Sequence, residues 1–592
     1  MKHILTILLS LVFAIPCISQ QVYYSGKTFS DPYRHDGGLS PVIGVHNIQI
    51  MRADREHPDS SRNIMPWTYN HQPMMAYWKG RFWVHYLSDP QSEHVPPSQT
   101  FFQTSIDGYQ WSSPATLFPD YGNDMMAVMH QRVGWYVSSK KTGEKLLAIG
   151  SYGLCPTPKS DPNDGNGIGR VVREVKEDGT LGPIYFLYLN KNPSPALSKG
   201  EGEQITEKKI IWPLYTKSKD RRFREACDEI MSSPLYWMQF VEECDRNDPR
   251  LPLKNVYKAF SYYRLPDDNT IVGLWKHALT SQSHDGGKTW TEPVARARGF
   301  VNSNAKIWGQ RLSDGTYATV YNPAEYRWPL AVSTSVDGIE YTTLSLVQGE
   351  ISPMRYGGNY KSYGPQYVRG ILPGNGTPPD GNMWVSYSMN KEDMWVAKIP
   401  VPLRTEELLE ANDNFSNAKT LDLWNINSLI LAPVGIENGW LSLADEDPYD
   451  YARAERVIPA TRRLSVSFDV KAMQNDHGML QMDFLDEKGS PCSRLQWQPD
   501  GNLMVKVGAR YNNVLKGYEA GRAYHLQVDV DLDARNVTIW VDGKKVGPRM
   551  LFAPVGKITR IAFRTGEQRF SPTPDTPADR LPGDDLNLSN LS

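Results

Sequence analysis

The sequence predicts an all-β protein: a β-propeller followed by a C-terminal β-sandwich. Three observations carry this. From about Gln21 to Pro402 short apolar or alternating runs recur between Gly, Pro, Asn and Asp clusters, the pattern of many short strands. An octet, Ser283-His284-Asp285-Gly286-Gly287-Lys288-Thr289-Trp290, has looser copies at Ser105–Trp111 and Ser335–Tyr341. Each follows a strand-like run, and a repeated hairpin of this kind marks a repeated four-stranded blade. Beyond Pro402 a second strand series begins, with its own alternation.

The octet has a physical logic. Asp bonds back to nearby backbone amides, Gly supplies positive φ, and the aromatic plugs the space under the hairpin. Propeller strands are expected at Met74–Tyr86, Lys145–Tyr152, Thr270–His277, Ala305–Tyr321 and Met383–Ile399. Between them, Asp220–Asp248 has helical periodicity. It reads either as a loop walling a pocket or as a plain surface excursion. Two prolines at Pro400 and Pro402 and an acidic helical stretch, Glu406–Ala411, mark the boundary. The sandwich strands follow at Leu464–Val470, Met479–Phe484, Leu503–Val507, Tyr524–Leu532 and Val537–Val541, and Asp542-Gly543 turns a hairpin.

The domains are accordingly 1–19 signal peptide, 20–402 propeller, 403–412 linker, 413–571 sandwich and 572–592 flexible tail. The first segment places Lys2 and His3 before the apolar run Ile4–Ile15, with Cys17-Ile18-Ser19 for cleavage, so the chain is expected to be exported. Pro16 stands where a lipobox wants a small residue, which favours cleavage over lipidation. No later run is long enough to cross a bilayer as a helix. A net charge of −2 gives no electrostatic case for nucleic acid. No C-x-x-C or H-E-x-x-H spacing occurs, so neither a metal nor any other cofactor is expected. Cys227 and Cys244 lie in one insert, and an exported chain could pair them or leave them free. The 17 Trp and 31 Tyr suit sheet packing and also sugar stacking. Trp424, Trp440 and Trp497 read as stacking platforms of a glycan-binding sandwich or as its core.

S-x-D-x-G-x-x-W resembles the Asp-box of sialidase-like β-propellers; the resemblance spans roughly residues 40–400 and implies a six-bladed propeller, with seven blades as the alternative. The C-terminal part is similar to a concanavalin or laminin-G type sandwich. Sialidases share a first-blade Arg-Ile-Pro, whose arginine joins two others on the substrate carboxylate, an Asp acid/base and a Tyr–Glu nucleophile pair. Here Asn70-His71-Gln72-Pro73 supplies the strand and the proline, with His71-Gln72 where that family has Arg-Ile. The resemblance thus implies His71 and Gln72 as site residues. His71 also suits acid–base work by itself, since imidazole titrates near neutrality; its alternative is a hydrogen bond across the blade. The loop Ser88–Pro97 offers Asp89, Glu93 and His94 as acid/base candidates.

Late in the propeller Arg311, Arg355, Arg369, Tyr360 and Tyr363 stand where the resemblance places the later arginines and the tyrosine. Arginine forks match carboxylates, and a tyrosine beside a base or cation becomes a nucleophile. Lys361 would neutralise a uronate carboxylate in a lyase. Arg52, following Val45–Ile50, reads as a further clamp or as a salt-bridged turn. The expected activity is exo-hydrolysis of a terminal acidic sugar, sialic or a related ulosonic acid, from a glycan by a monomeric protein. The alternatives are a lyase or exo-glycosidase at uronate or rhamnose linkages, and a non-catalytic glycan binder.

Overall fold

The computed structural model describes residues 21–93, 97–120, 127–129, 134–155, 167–189, 212–239, 257–324 and 327–570. Five propeller sheets stand among them. The first blade comprises Tyr69–Trp78, Arg81–Asp89, Gln99–Ser105 and Ala115–Phe118, paired in that order. The second is built on Gly134–Val137, Leu146–Cys155, Gly167–Val175 and Tyr185–Leu189. The third holds Ser261–Arg264, Ile271–Trp275, Leu279–Ser283 and Ala295–Arg296; the fourth Trp308–Arg311, Tyr317–Tyr321 and Leu330–Ser335, with three short outer strands, Glu340–Tyr341, Ser345–Gln348 and Tyr23–Tyr24. The fifth joins Pro365–Gly370, Met383–Met389 and Asp393–Ile399 to His46–Ala53 from the N-terminal end. First and last segments of the propeller thus share one sheet, which closes the ring. The six blades expected are not met among the described residues, which hold five.

Each blade contributes a fully buried tryptophan: Trp83, Trp135, Trp275, Trp308 and Trp395. Wedged sheets diverge outward, and large aromatics fill the widening gap, each removing ~150–250 Å² from water. Most of the aromatic surplus therefore serves packing. The three Ser-x-Asp turns lie between the third and fourth strands of blades one, three and four. In each the serine hydroxyl accepts from a glycine amide, 2.8–2.9 Å at Gly108, Gly287 and Gly338. Each aspartate accepts from amides further on, as Asp107 does from Tyr109 and Gln110 at 2.8 and 2.9 Å. Trp290 ends its turn under the hairpin, against Phe260 and Trp275.

The insert forms helices Arg221–Ser232 and Pro234–Gln239. Asp220 caps the first by accepting from the Phe223 amide at 3.1 Å. Phe223, Ala226, Cys227 and Ile230 recur at helical spacing and bury against Leu147, Ile149 and Val172 of blade two. The described part of the insert is therefore packed on the outside of the ring. Cys227 and Cys492 are buried and free among the described residues; Cys244 lies outside them, as do the leader, His94 and the tail.

The expected helix at Glu406–Ala411 is a correction: the segment is irregular. Glu407 accepts from the amides of Leu408 and Leu409 at 3.0 and 3.2 Å, a local side-chain bond that competes with helical bonding. It also pairs with Arg456 at 3.3 Å. Beyond it, Trp424–Ser428 runs parallel to His46–Ala53, so the sandwich continues the sheet of blade five. That sheet proceeds through Arg453–Thr461, Ile558–Arg564, Leu480–Leu485, Pro491–Trp497, Leu503–Val507 and Arg510–Leu515. A facing sheet of Arg463–Lys471, Ala523–Asp531, Asn536–Val541 and Lys544–Met550 completes the sandwich. Trp424 and Trp497 are buried in it, and Trp440 carries the Lys471 ammonium 5.2 Å from its ring. The stacking-platform reading of Trp424 and Trp497 is thereby withdrawn, since a face closed by packing has no room for a sugar.

Candidate active site

Strands in a blade alternate direction, so the turn between the second and third strands lies at the same end as the segment entering the first. Side chains from these positions in blades one, three, four and five meet at one face. They line a cavity of about 360 Å³: Glu93 from blade one, Lys258, Lys276 and His277 from blade three, Asn304 and Arg327 from blade four, and Tyr360, Ser362, Tyr367 and Lys391 from blade five. A hollow of about 370 Å³ at Gln21, Val22, Tyr23, Arg296 and Arg298 lies at the outer edge of blades three and four and contains no carboxylate.

Tyr367 is the centre of the site. Its φ of 58° departs from strand geometry, an uncommon conformation for a bulky residue. The pairing with the second strand shifts register between Gln366 and Arg369, and a bulge of this kind re-aims a side chain. The Lys276 Nζ donates to the Tyr367 hydroxyl oxygen at 2.7 Å. Around the ring stand Lys306 at 4.6 Å, Lys276 at 4.7 Å, Arg327 at 5.0 Å and Lys391 at 5.9 Å. Arg327 is aimed by Asn304, whose Oδ1 accepts from Nε and Nη2 at 3.1 and 3.0 Å, and by Gln366. Lys391 donates to Glu93 at 3.0 Å and to the Tyr360 carbonyl at 2.6 Å.

Beneath Tyr367 lies His71, ring centroids 4.1 Å apart. It is fully buried and shares a 2.7 Å hydrogen bond with Ser388 Oγ. Burial, then the Lys391 charge, pushes its pKa well below the ordinary imidazole value, against an opposing pull from Glu93. His71 is thus a neutral ring under the tyrosine. Gln72, with φ of 57°, makes a matching bulge in blade one. Asp89 is buried at the end of its strand. With burial first, the charges of Glu93 and Asp89 push the Tyr69 phenol well above its usual range.

Of the residues singled out from sequence, Glu93 and Tyr360 line the cavity, with His71 and Gln72 behind it. The other described candidates lie elsewhere. Arg52 is fully buried against Asp447 of the sandwich, Nη2 at 3.1 Å from Oδ1. Arg355 pairs with Asp393 and approaches Glu392 at 3.8 Å. Lys361 holds Glu392 at 2.9 Å. Arg369 donates to the Phe260 carbonyl at 3.0 Å beneath the ring of strands. Arg311 lies over Tyr317 at 5.9 Å, and Tyr363 stacks on Trp328 at 6.4 Å. The arginine triad drawn from the resemblance is therefore corrected: Arg52, Arg311, Arg355 and Arg369 do not line the cavity, because buried carboxylates, a carbonyl and an aromatic face occupy them. Missed were Tyr367, Arg327 and the lysines 258, 276, 306 and 391. The one available signal was position, since each cation but Lys306 and Lys258 stands in a second-to-third strand turn.

The comparisons agree with this architecture. Residues 20–257 match a family model described as BT_1020-like, N-terminal beta propeller. Residues 195–397 match the BNR repeat-like domain, and residues 424–580 the Sialidase-like, CBM domain. No curated protein matches the chain. A solved structure named Sialidase is 56% identical with a TM-score of 0.88, over 96% of this chain and 52% of its own. The chain thus spans about half the length of that protein. Trypanosoma rangeli sialidase aligns at 10% identity with a TM-score of 0.35, over 93% of this chain and 97% of its own, too distant to inform the site. Fold and matched models together define a sialidase-like β-propeller. More narrowly, residues 20–257 are similar to the BT_1020-like N-terminal propeller and residues 424–580 to the sialidase-like CBM domain.

Proposed function

We propose that the chain is an exported, exo-acting glycoside hydrolase that removes a terminal acidic sugar, sialic or a related ulosonic acid, from a glycan. The observation that carries this is the single cavity in which Tyr367, Glu93 and a set of cations converge. A carboxylate-bearing sugar is attracted there by Arg327, whose fork suits a carboxylate, and by the ammonium groups. Tyr367 then attacks the anomeric carbon while Glu93, the carboxyl group among the lining residues, protonates the leaving oxygen. Lys391 holds Glu93 at 3.0 Å, and a bound substrate anion offsets that charge and raises the proton affinity of Glu93. Water, deprotonated by Glu93, releases the sugar from Tyr367, so the anomeric configuration is retained.

The lyase reading loses its residues. His71 lies beneath Tyr367, Tyr363 stacks on Trp328, and Lys361 is paired with Glu392. The test is incubation with aryl and glycan-linked ulosonides and with uronate polysaccharides. Release of free acidic sugar, of retained configuration by NMR and without a new near-ultraviolet chromophore, is expected. A product with a conjugated double bond, or binding without turnover, would overturn the reading.

A further inference from the structure

A second hollow, of about 370 Å³, adjoins the cavity on blade three and is lined by Gln21, Val22, Tyr23, Arg296 and Arg298. Its position follows from strand pairing. Arg296 stands opposite Leu279, two residues beyond the cavity-lining His277, and the Ala297 amide donates to the Ala278 carbonyl at 2.8 Å. Paired strands lie ~4.8 Å apart, so the two arginines stand one strand outward from the turn that carries Lys276 and His277. Burial first, and then the Arg296 charge, lowers the His277 pKa. The field of the hollow therefore reaches the wall of the cavity.

Alternation shapes the hollow. Ala297 is buried, while Arg296 and Arg298 on either side of it are exposed, since residues two apart in an extended segment share a face. Tyr23 runs alongside. It bridges Arg298 in parallel, the Tyr24 amide donates to the Arg298 carbonyl at 2.8 Å, and the Arg298 guanidinium lies 5.7 Å from the Tyr23 ring. Two carboxylates stand on the adjoining segments: Glu340, opposite Tyr23 and accepting from the Ser25 hydroxyl at 2.6 Å, and Glu292. Neither lines the hollow, and Arg296 and Arg298 form no ion pair or side-chain hydrogen bond among the described residues. The buried arginines differ in this respect, as Arg52, Arg355 and Arg456 each rest on a carboxylate.

A guanidinium fork matches a carboxylate with two parallel bonds, and a tyrosine ring offers a flat face to a sugar. We propose that this hollow is a second subsite, which takes the carboxylate of a uronate unit in the glycan whose terminal sugar enters the cavity. The substrate is then an acidic chain laid across His277, charged beyond its terminal unit. What occupies the cavity rests on the function proposed above, whereas the affinity of the hollow for a uronate does not.

Calorimetric titration of the full chain with an oligouronide, with its methyl ester and with a sulfated neutral oligosaccharide tests this. The oligouronide is expected to bind, and either esterification or the pair Arg296→Gln and Arg298→Gln should weaken it about tenfold, as the loss of two exposed ion pairs allows. Lysine at both positions keeps the charge without the fork and should recover part of the affinity, which lost packing would not. No binding by the parent, equal binding of acid and ester, or unchanged affinity in the Gln pair would overturn the proposal; so would tighter binding of the sulfated chain, which would assign the hollow to sulfate. In kinetics, the Gln pair should raise KM on a uronate-bearing glycan about tenfold and leave an aryl ulosonide, which has no second acid, unaffected; equal losses on both would also overturn it. Oligouronide binding in a protein that cleaves no ulosonide would count against the function alone. Cleavage with no uronate affinity in the hollow would count against this inference alone.

Discussion

Glu93 shows what a single residue contributes here. It extends from the loop after Arg81–Asp89 into the cavity, 8% exposed, with its carboxylate 3.0 Å from Lys391. A group that passes a proton in the transition state contributes typically 10²–10⁴-fold. Glu93→Gln keeps the shape and the contact to Lys391 while losing the proton. Its kcat/KM on an ulosonide of poor leaving ability should fall by about 10²–10⁴, and an activated aryl leaving group should recover most of the loss. Steady-state kinetics on the two substrates checks it; an equal loss on both would refute the proton-donor role. Asp89 is fully buried at the end of the strand that leads to this loop.

At the scale of the element, the Ser-x-Asp turns stand at the far face of blades one, three and four, while the turns that line the cavity occupy the near one. Gly108, with φ of 80°, shows why the residue type is required: a Cβ there would lie 2.3 Å from Trp384 of blade five. The turn therefore ties blade one to its neighbour through an aromatic seat. Gly108→Ala combines backbone strain with overpacking and should destabilise the protein by ~1–3 kcal/mol. Thermal unfolding would report this as a lowered Tm. Activity at low temperature should persist, because the turn stands at the opposite end from the cavity. The sequence pattern found these turns through their chemistry. The near-face turns carry no shared motif, and so Lys276, Arg327 and Lys391 went unmarked.

For the whole molecule, the shared sheet through His46–Ala53 and Trp424–Ser428 makes propeller and sandwich one structural unit. Their junction buries charge. Arg52 meets Asp447, Arg569 meets Asp450 at 3.1 Å, and Arg453 meets Glu350 at 3.3 Å. Asp445 lies beside these acids and accepts from the Thr565 hydroxyl at 2.6 Å and the Asp447 amide at 2.8 Å, with no arginine on it among the described residues; burial, reinforced by the Asp447 charge, pushes it up to about 8. Asp450 is raised to about 7, by burial first and despite Arg569.

A carboxyl whose folded pKa exceeds its unfolded value binds its proton more tightly in the native state. The stability this contributes is complete below the unfolded pKa of ~4 and is lost as pH rises through about 8. The Tm of the parent should therefore decline between pH ~5 and pH ~8 through these groups. Asp445→Asn, neutral throughout, should flatten that decline, which scanning calorimetry at stepped pH measures. An unchanged slope would show that Asp445 is ionised at the junction.

What the sequence determined was whatever depends on local pattern. Alternation located most strands, glycine and aspartate at fixed spacing located three turns, and two prolines located the end of the propeller. It also supplied Glu93 and His71 from a loop and a strand of blade one. Tertiary structure decided which cations face a ligand. Arg52, Arg355 and Arg369 look like carboxylate clamps in one dimension, yet each meets a partner hundreds or scores of residues away, and a buried charge must be satisfied before it can serve a substrate. Tyr367 was indistinguishable from Tyr360 and Tyr363 by neighbours in the chain. The bulge that turns its ring toward the axis arises from pairing between strands, and pairing is a property of the folded sheet.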